Sequence, residues 1–134
     1  MFSRMRRLQN EKVRPTDFEL ELLRIIWKMG RATVRELHET LSQQRELGYT
    51  TVLKTLQIMT EKGLVKREEF GKAHVYRAAR SEKDTKKQFL GDLSEKLFAG
   101  STAQLVMHAL SSQKVKTEEL EEIRKLILRK EGDR

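Results

Sequence analysis

The chain has 134 residues, 37% hydrophobic and 36% charged, with a formal net charge of +8 and no cysteine. This composition allows one domain or two small ones with a modest core. It excludes disulfides, thiolate metal sites, iron–sulfur clusters and cysteine nucleophiles. No apolar run reaches membrane-spanning length, and the basic start MFSRMRRLQNEKVR lacks the apolar centre of a signal peptide. The expectation is a cytoplasmic protein with no membrane insertion.

The charge is uneven. Residues 1–80 hold 17 Lys/Arg and 10 Asp/Glu, whereas residues 81–134 hold 11 and 10. A basic first part and a near-neutral second part suggest a polyanion-binding module followed by a region with another task.

Residues 1–14 read as a flexible basic arm. Arg4, Arg6, Arg7, Lys12 and Arg14 can meet phosphates or a minor groove, although a terminus with no role is the plainer reading. Helix 1 starts after Pro15, where Thr16 and Glu19 form a capping box. Phe18, Leu22, Ile25, Ile26 and Met29 are its expected buried stripe, and Gly30 ends it. Trp27 is expected to pack rather than to hold a ligand. Thr33 and Glu36 form a second capping box, and Val34, Leu37 and Leu41 define helix 2 to about Ser42. Residues 43–48 make a polar turn.

Helix 3 follows, GYTTVLKTLQIMTEK, with Tyr49 at its start, Thr50 as the expected N-cap and Gly63 as its end. Val52, Leu56 and Met59 fall on one stripe. Thr50, Lys54, Gln57 and Glu61 fall on the other. An outward face of hydroxyls, an amide and one lysine suits base edges and phosphates. An ordinary surface helix is the competing reading.

The period then changes from 3.6 to 2. Residues 64–70 read as a strand, Gly71-Lys72 as a turn and residues 73–78 as the returning strand. Three helices followed by a two-stranded hairpin is the order of a winged helix-turn-helix. The predicted fold class is mainly α (α+β), a winged helix-turn-helix domain over residues 15–80.

Residues 81–130 are expected to form a three-helix region before a tail at 131–134. Ser81 and Asp84 cap its first helix, with Phe89, Leu90, Leu93 and Leu97 on one side. Gly100-Ser101 breaks it. Leu105, Val106, Ala109 and Leu110 make the second helix, and residues 111–116 a loop. Thr117 is expected to cap the third, with Leu120, Ile123 and Ile127 as its apolar stripe. So small a unit is marginal alone. Packing against a second copy solves this, and two-fold symmetry matches palindromic DNA. Folding back onto the first domain is the rival.

Across these elements the chain resembles the penicillinase repressor family, the winged-helix repressors of β-lactamase and methicillin-resistance operons. The similarity runs from about Pro15 to Leu128 and rests on PTDFELELLRIIWKMG, ATVRELHETL, YTTVLKTLQIMTEKGLV and TEELEEIRKLI in this order and spacing. The resemblance implies a homodimeric transcriptional repressor, with helix 3 in the major groove of a palindromic operator and the wing on the adjacent backbone. Carried over by position, Thr50, Thr51 and Lys54 lie nearest the bases, with Tyr49 and Gln57 beside them. Leu53 meets a thymine methyl, and Arg67, Lys72 and His74 serve the wing. Phe89, Leu93, Leu97, Leu105, Val106, Leu120, Ile123 and Ile127 make the dimer core.

Two departures matter. Copper-responsive relatives carry a C-terminal cysteine motif, which this chain lacks. Antibiotic-responsive members are cut at an Asn-Phe bond, where this chain has His108-Ala109. A membrane-bound sensor metalloprotease remains the partner implied for such repressors, with the position of any cut left open.

No enzyme is expected and no cofactor. His38, His74 and His108 have no metal-ligand spacing. There is no Gly-rich phosphate loop and no serine elbow. Glu118, Glu119, Glu121 and Glu122 suit a helix start and a Glu121–Lys125 pair better than acid–base chemistry. Two alternatives remain: a winged helix used as a protein-interaction module, and a repressor released by a small-molecule effector.

Overall fold

A computed structural model describes residues 14–133, so most of the expected basic arm lies outside the described residues. The chain divides into two compact units after Lys86. The first contains α1 (Asp17–Met29), β1 (Ala32–Thr33), α2 (Val34–Ser42), α3 (Tyr49–Lys62), β2 (Val65–Phe70) and β3 (Ala73–Ala78). The helix α4 (Glu82–Phe98) begins in this unit, and the second unit holds its remainder with α5 (Thr102–Ser112) and α6 (Thr117–Gly132).

Both predicted capping boxes form. The Thr16 hydroxyl accepts from the Glu19 N–H at 3.2 Å, and the Glu19 carboxylate accepts from the Thr16 N–H at 2.8 Å. Thr33 and Glu36 repeat the exchange at 3.1 and 3.0 Å. Each box satisfies two backbone donors that a helix start leaves orphaned.

The buried side of α1 is made by Glu19, Leu22, Leu23 and Ile26. Leu23 was not part of the expected stripe, and Met29, which was, is 41% exposed. The stripe turns toward Leu23, which leaves Met29 on the solvent side of the last turn. Phe18 and Ile25 are half-buried against the core. Gly30 closes the helix at φ +84°, donating to the Ile26 carbonyl at 2.7 Å. Trp27 packs against the core, and its Nε1 donates to the Arg80 carbonyl at 3.0 Å.

The core gathers Leu22, Leu23 and Ile26 with Leu37 and Leu41 of α2, Val52, Leu56 and Met59 of α3, and Val65 and Tyr76 of the sheet. Each large side chain buried there contributes about 1.5–3 kcal/mol. The predicted face of α3 is thus its anchor.

The sheet has three antiparallel strands in the order β1-β3-β2. Ala32 pairs with Tyr76 and Thr33 with Val75, and the hairpin runs in register from Val65–Ala78 to Phe70–Ala73. The two-residue β1 was not expected. It makes β3 a central strand, so both Val75 and Tyr76 are buried, whereas β2 is an edge with only Val65 buried. Leu64 is not a strand residue: its N–H bonds the Met59 carbonyl at 2.9 Å, completing the close of α3.

In the second unit, the Ser81 hydroxyl accepts from the Asp84 N–H at the start of α4, as expected. Thr117 does not cap α6; it is the first helical residue, and the Lys116 N–H donates to Glu119 at 3.2 Å. The α6 helix runs to Gly132. The expected Glu121–Lys125 pair is replaced by Arg124–Glu121 at 3.7 Å and Lys125–Glu122 at 3.6 Å. Among the described residues from 87 onward, no hydrophobic side chain is buried. Leu93, Leu97, Val106, Leu120 and Ile127 are exposed, and Phe89, Leu105 and Ile123 are half-buried.

Candidate nucleic-acid interface

Helix α3 starts at Tyr49 as expected, but its N-cap lies two residues before Thr50. Gly48, with φ −72° and ψ 143°, is the N-cap, and no side chain caps the helix. Thr50 therefore lies in the first turn rather than at the cap. A backbone that is already helical at Tyr49 frees the Thr50 hydroxyl for the outward face.

Two further contacts fix this end of the helix. His38 Nε2 donates to the Leu47 carbonyl at 2.6 Å, closing the turn between α2 and α3. The His38 ring also meets the Tyr49 ring edge-on at 5.8 Å. At the other end, Gly63 takes φ +78°, a left-handed conformation that glycine adopts without penalty.

The last residue of α3 is tied across the fold. Lys62 Nζ donates to Glu19 Oε1 at 2.7 Å, and Glu19 is 2% exposed. Burial alone would push the Glu19 carboxyl up. The Lys62 hydrogen bond and charge, with the Thr16 backbone N–H and hydroxyl, outweigh it and hold the carboxyl below its ordinary value. Local sequence shows the Thr16 box but not this partner 43 residues away.

Between α3, the start of α2 and the wing lies a groove of about 460 Å³. Tyr49, Leu53 and Gln57 line it from α3, and Arg67, Lys72 and His74 line it from the hairpin. These sequence-predicted residues therefore converge on one surface. Arg67 and His74 share a face because Arg67 pairs with Tyr76 and Glu69 with His74 in the ladder, and side chains alternate along a strand. Leu53 is half-buried and leans on the core. Thr50, Thr51 and Lys54 are exposed on α3 outside the groove.

Arg35, at the start of α2, also lines the groove and was missed from sequence. It is paired with Glu39 at 3.0 Å and is largely exposed. The only local signal was a basic residue in the first turn of a helix, where the dipole does not favour one. No Asp or Glu lines the groove among the described residues. The surface therefore combines three fixed positive charges with hydroxyl, amide and aromatic groups, a chemistry suited to phosphates and base edges. No group of His, Asp or Glu suited to a metal occurs among the described residues, nor any helix long and apolar enough to cross a membrane.

The family model described as penicillinase repressor matches residues 15–129. The methicillin resistance regulatory protein MecI of Mammaliicoccus sciuri is 23% identical over 123 residues, covering 92% of this chain and 100% of that protein. The transcriptional regulator BlaI of Mycobacterium tuberculosis (strain H37Rv) is 39% identical over 61 residues, covering 45% of this chain and 44% of that protein. A solution structure of the DNA-binding domain of the repressor BlaI aligns with a TM-score of 0.48 and 27% identity, covering 53% of this chain and 87% of that one.

Proposed function

This chain belongs to the penicillinase repressor family, and on that premise we propose that it is a homodimeric DNA-binding repressor of a palindromic operator. The convergence of Tyr49, Leu53 and Gln57 with Arg67, Lys72 and His74 on one groove carries the reading. Thr50, Thr51 and Lys54 then face the major groove, and the wing and Arg35 meet the flanking phosphates. Helix α3 carries only Lys54 as a positive side chain before its last residue. Most of the affinity comes from phosphate contacts of the surrounding basic unit, doubled by the second copy.

The dimer reading is supported by the second unit. Leu93, Leu97, Val106, Leu120 and Ile127 are exposed, and no hydrophobic among its described residues is buried. Helices that leave their apolar side chains exposed gain most from a partner. A two-fold dimer also presents two copies of α3 to two half-sites.

Relief by a cut in the second unit, made by a membrane-bound sensor metalloprotease, is the route consistent with the family, although His108-Ala109 stands where the family's Asn-Phe bond would be. His108 and Ala109 are exposed, but they are helical. A protease would need α5 to open locally before it could take the chain in an extended form.

A gel-shift titration against DNA upstream of the chain's own operon, at several salt concentrations, tests the central claim. A sequence-preferring complex that weakens steeply with salt is expected. Equal binding to any duplex, or none at moderate salt, would overturn it.

A further inference from the structure

One apolar side chain of α3 serves neither the core nor the groove. Val52, Leu56 and Met59 are buried, Leu53 leans on the core, and Tyr49 meets the His38 ring. Ile58 does none of these and is 46% exposed. A single exposed apolar residue needs no explanation in general. Its position gives this one a meaning. Ile58 stands four residues after Lys54 and eight after Thr50, so the three form a row on successive turns of the outward face.

In the major groove, the thymine C5-methyl is the one apolar mark that a base pair presents. Hydroxyl, amide and ammonium groups read donors and acceptors, and they gain nothing from a methyl. An isoleucine in the same row adds an apolar contact two turns beyond the methyl groups of Thr50 and Thr51. Its β-branched side chain has few rotamers in a helix, so little freedom is lost when it packs against a base. Its neighbours three and four residues away, Lys54, Thr55, Glu61 and Lys62, are all polar, and Lys54 and Glu61 are exposed. The apolar spot is thus too small for a protein partner and large enough for one methyl.

We propose that Ile58 is a specificity-determining residue of α3 that reads the C5-methyl of a thymine in each half-site, one helical turn beyond Lys54. This rests on the DNA-binding reading given above.

The test uses the full chain. Binding-site selection from random duplex first yields the preferred site. Each thymine in that site is then replaced by deoxyuridine, which removes only the methyl. The wild-type chain should show one position per half-site at which this weakens binding about three- to tenfold, the effect of burying one methyl. Ile58→Ala should bind the thymine site correspondingly less well and should lose nothing further on replacement. Ile58→Val should keep part of the sensitivity. A thermal melt of each variant separates a folding defect, which is unexpected at so exposed a position, from a lost contact. Full deoxyuridine sensitivity in Ile58→Ala would overturn the proposal, as would selective wild-type binding with no sensitive position. A wild-type chain that selects no sequence would overturn the DNA-binding reading itself, and this one with it.

Discussion

Lys62 ends the helix that faces outward, and Glu19 stands in the first turn of the helix that supports it; their 2.7 Å contact joins the two across 43 residues. The Glu19 carboxylate accepts at once from Lys62 and from the Thr16 N–H that its capping box satisfies. The pose of α3 is therefore coupled to the start of α1. Replacing Lys62 by Met removes the charged donor and leaves a buried carboxylate with only its local partners. A loss of on the order of 1–3 kcal/mol is expected, read as a lower urea midpoint at an unchanged slope.

The same pair gives a pH dependence of definite sign. The folded chain holds Glu19 ionised at lower pH than the unfolded chain does. In that window the unfolded state binds more protons. The stabilisation is thus fully present above the unfolded glutamate pKa and is lost as pH falls through the lower folded one. Thermal melts of wild type and Glu19→Gln, taken from neutral pH into the acid range, should converge at the acid end. A constant gap between them would remove Glu19 from the acid response.

Lys54 and Lys72 should fail differently when replaced by Ala. Lys54 lies on the outward face of α3, and its loss should cost about 1–3 kcal/mol and relax preference at one position. Lys72 lies at the wing, and its loss should weaken all sequences alike and reduce the salt slope by about one. Arg35→Ala should follow Lys72. Titrations against the selected site and a scrambled duplex, each at three salt concentrations, separate the two patterns.

Leu97 is 70% exposed. Replacing it by Glu should change the stability of a lone copy by no more than about 0.5 kcal/mol. In a dimer core it would bury a charge. Sedimentation equilibrium should then show at least a tenfold weaker dimer, about 1.4 kcal/mol, with unchanged helix content. A dimer of unaltered strength would take Leu97 out of the interface.

Local chemistry was legible in the sequence and long-range pairing was not. Thr16 and Glu19, or Thr33 and Glu36, are three residues apart, and their exchange depends on nothing else in the chain. The burial of Val52, Leu56 and Met59 follows from one helical period. By contrast, Ala32–Thr33 is too short to show a strand pattern and exists only because β3 lies beside it. That pairing in turn hides both faces of β3 and defeats simple alternation. Arg35 carries no mark of the groove until the wing is folded next to it. The displaced cap of α3 is a backbone matter: Gly48 enters the helix without a side-chain cap, two residues before the Thr50 that capping preference favours.

The bond from Trp27 to the Arg80 carbonyl has a practical side. Trp27 is the single tryptophan of the chain, and its indole is held where the chain leaves the wing. The molecule thus carries its own optical reporter at that exit. Its emission will follow the undocking of the hairpin's end from α1 without a label, and it can be watched while DNA is added.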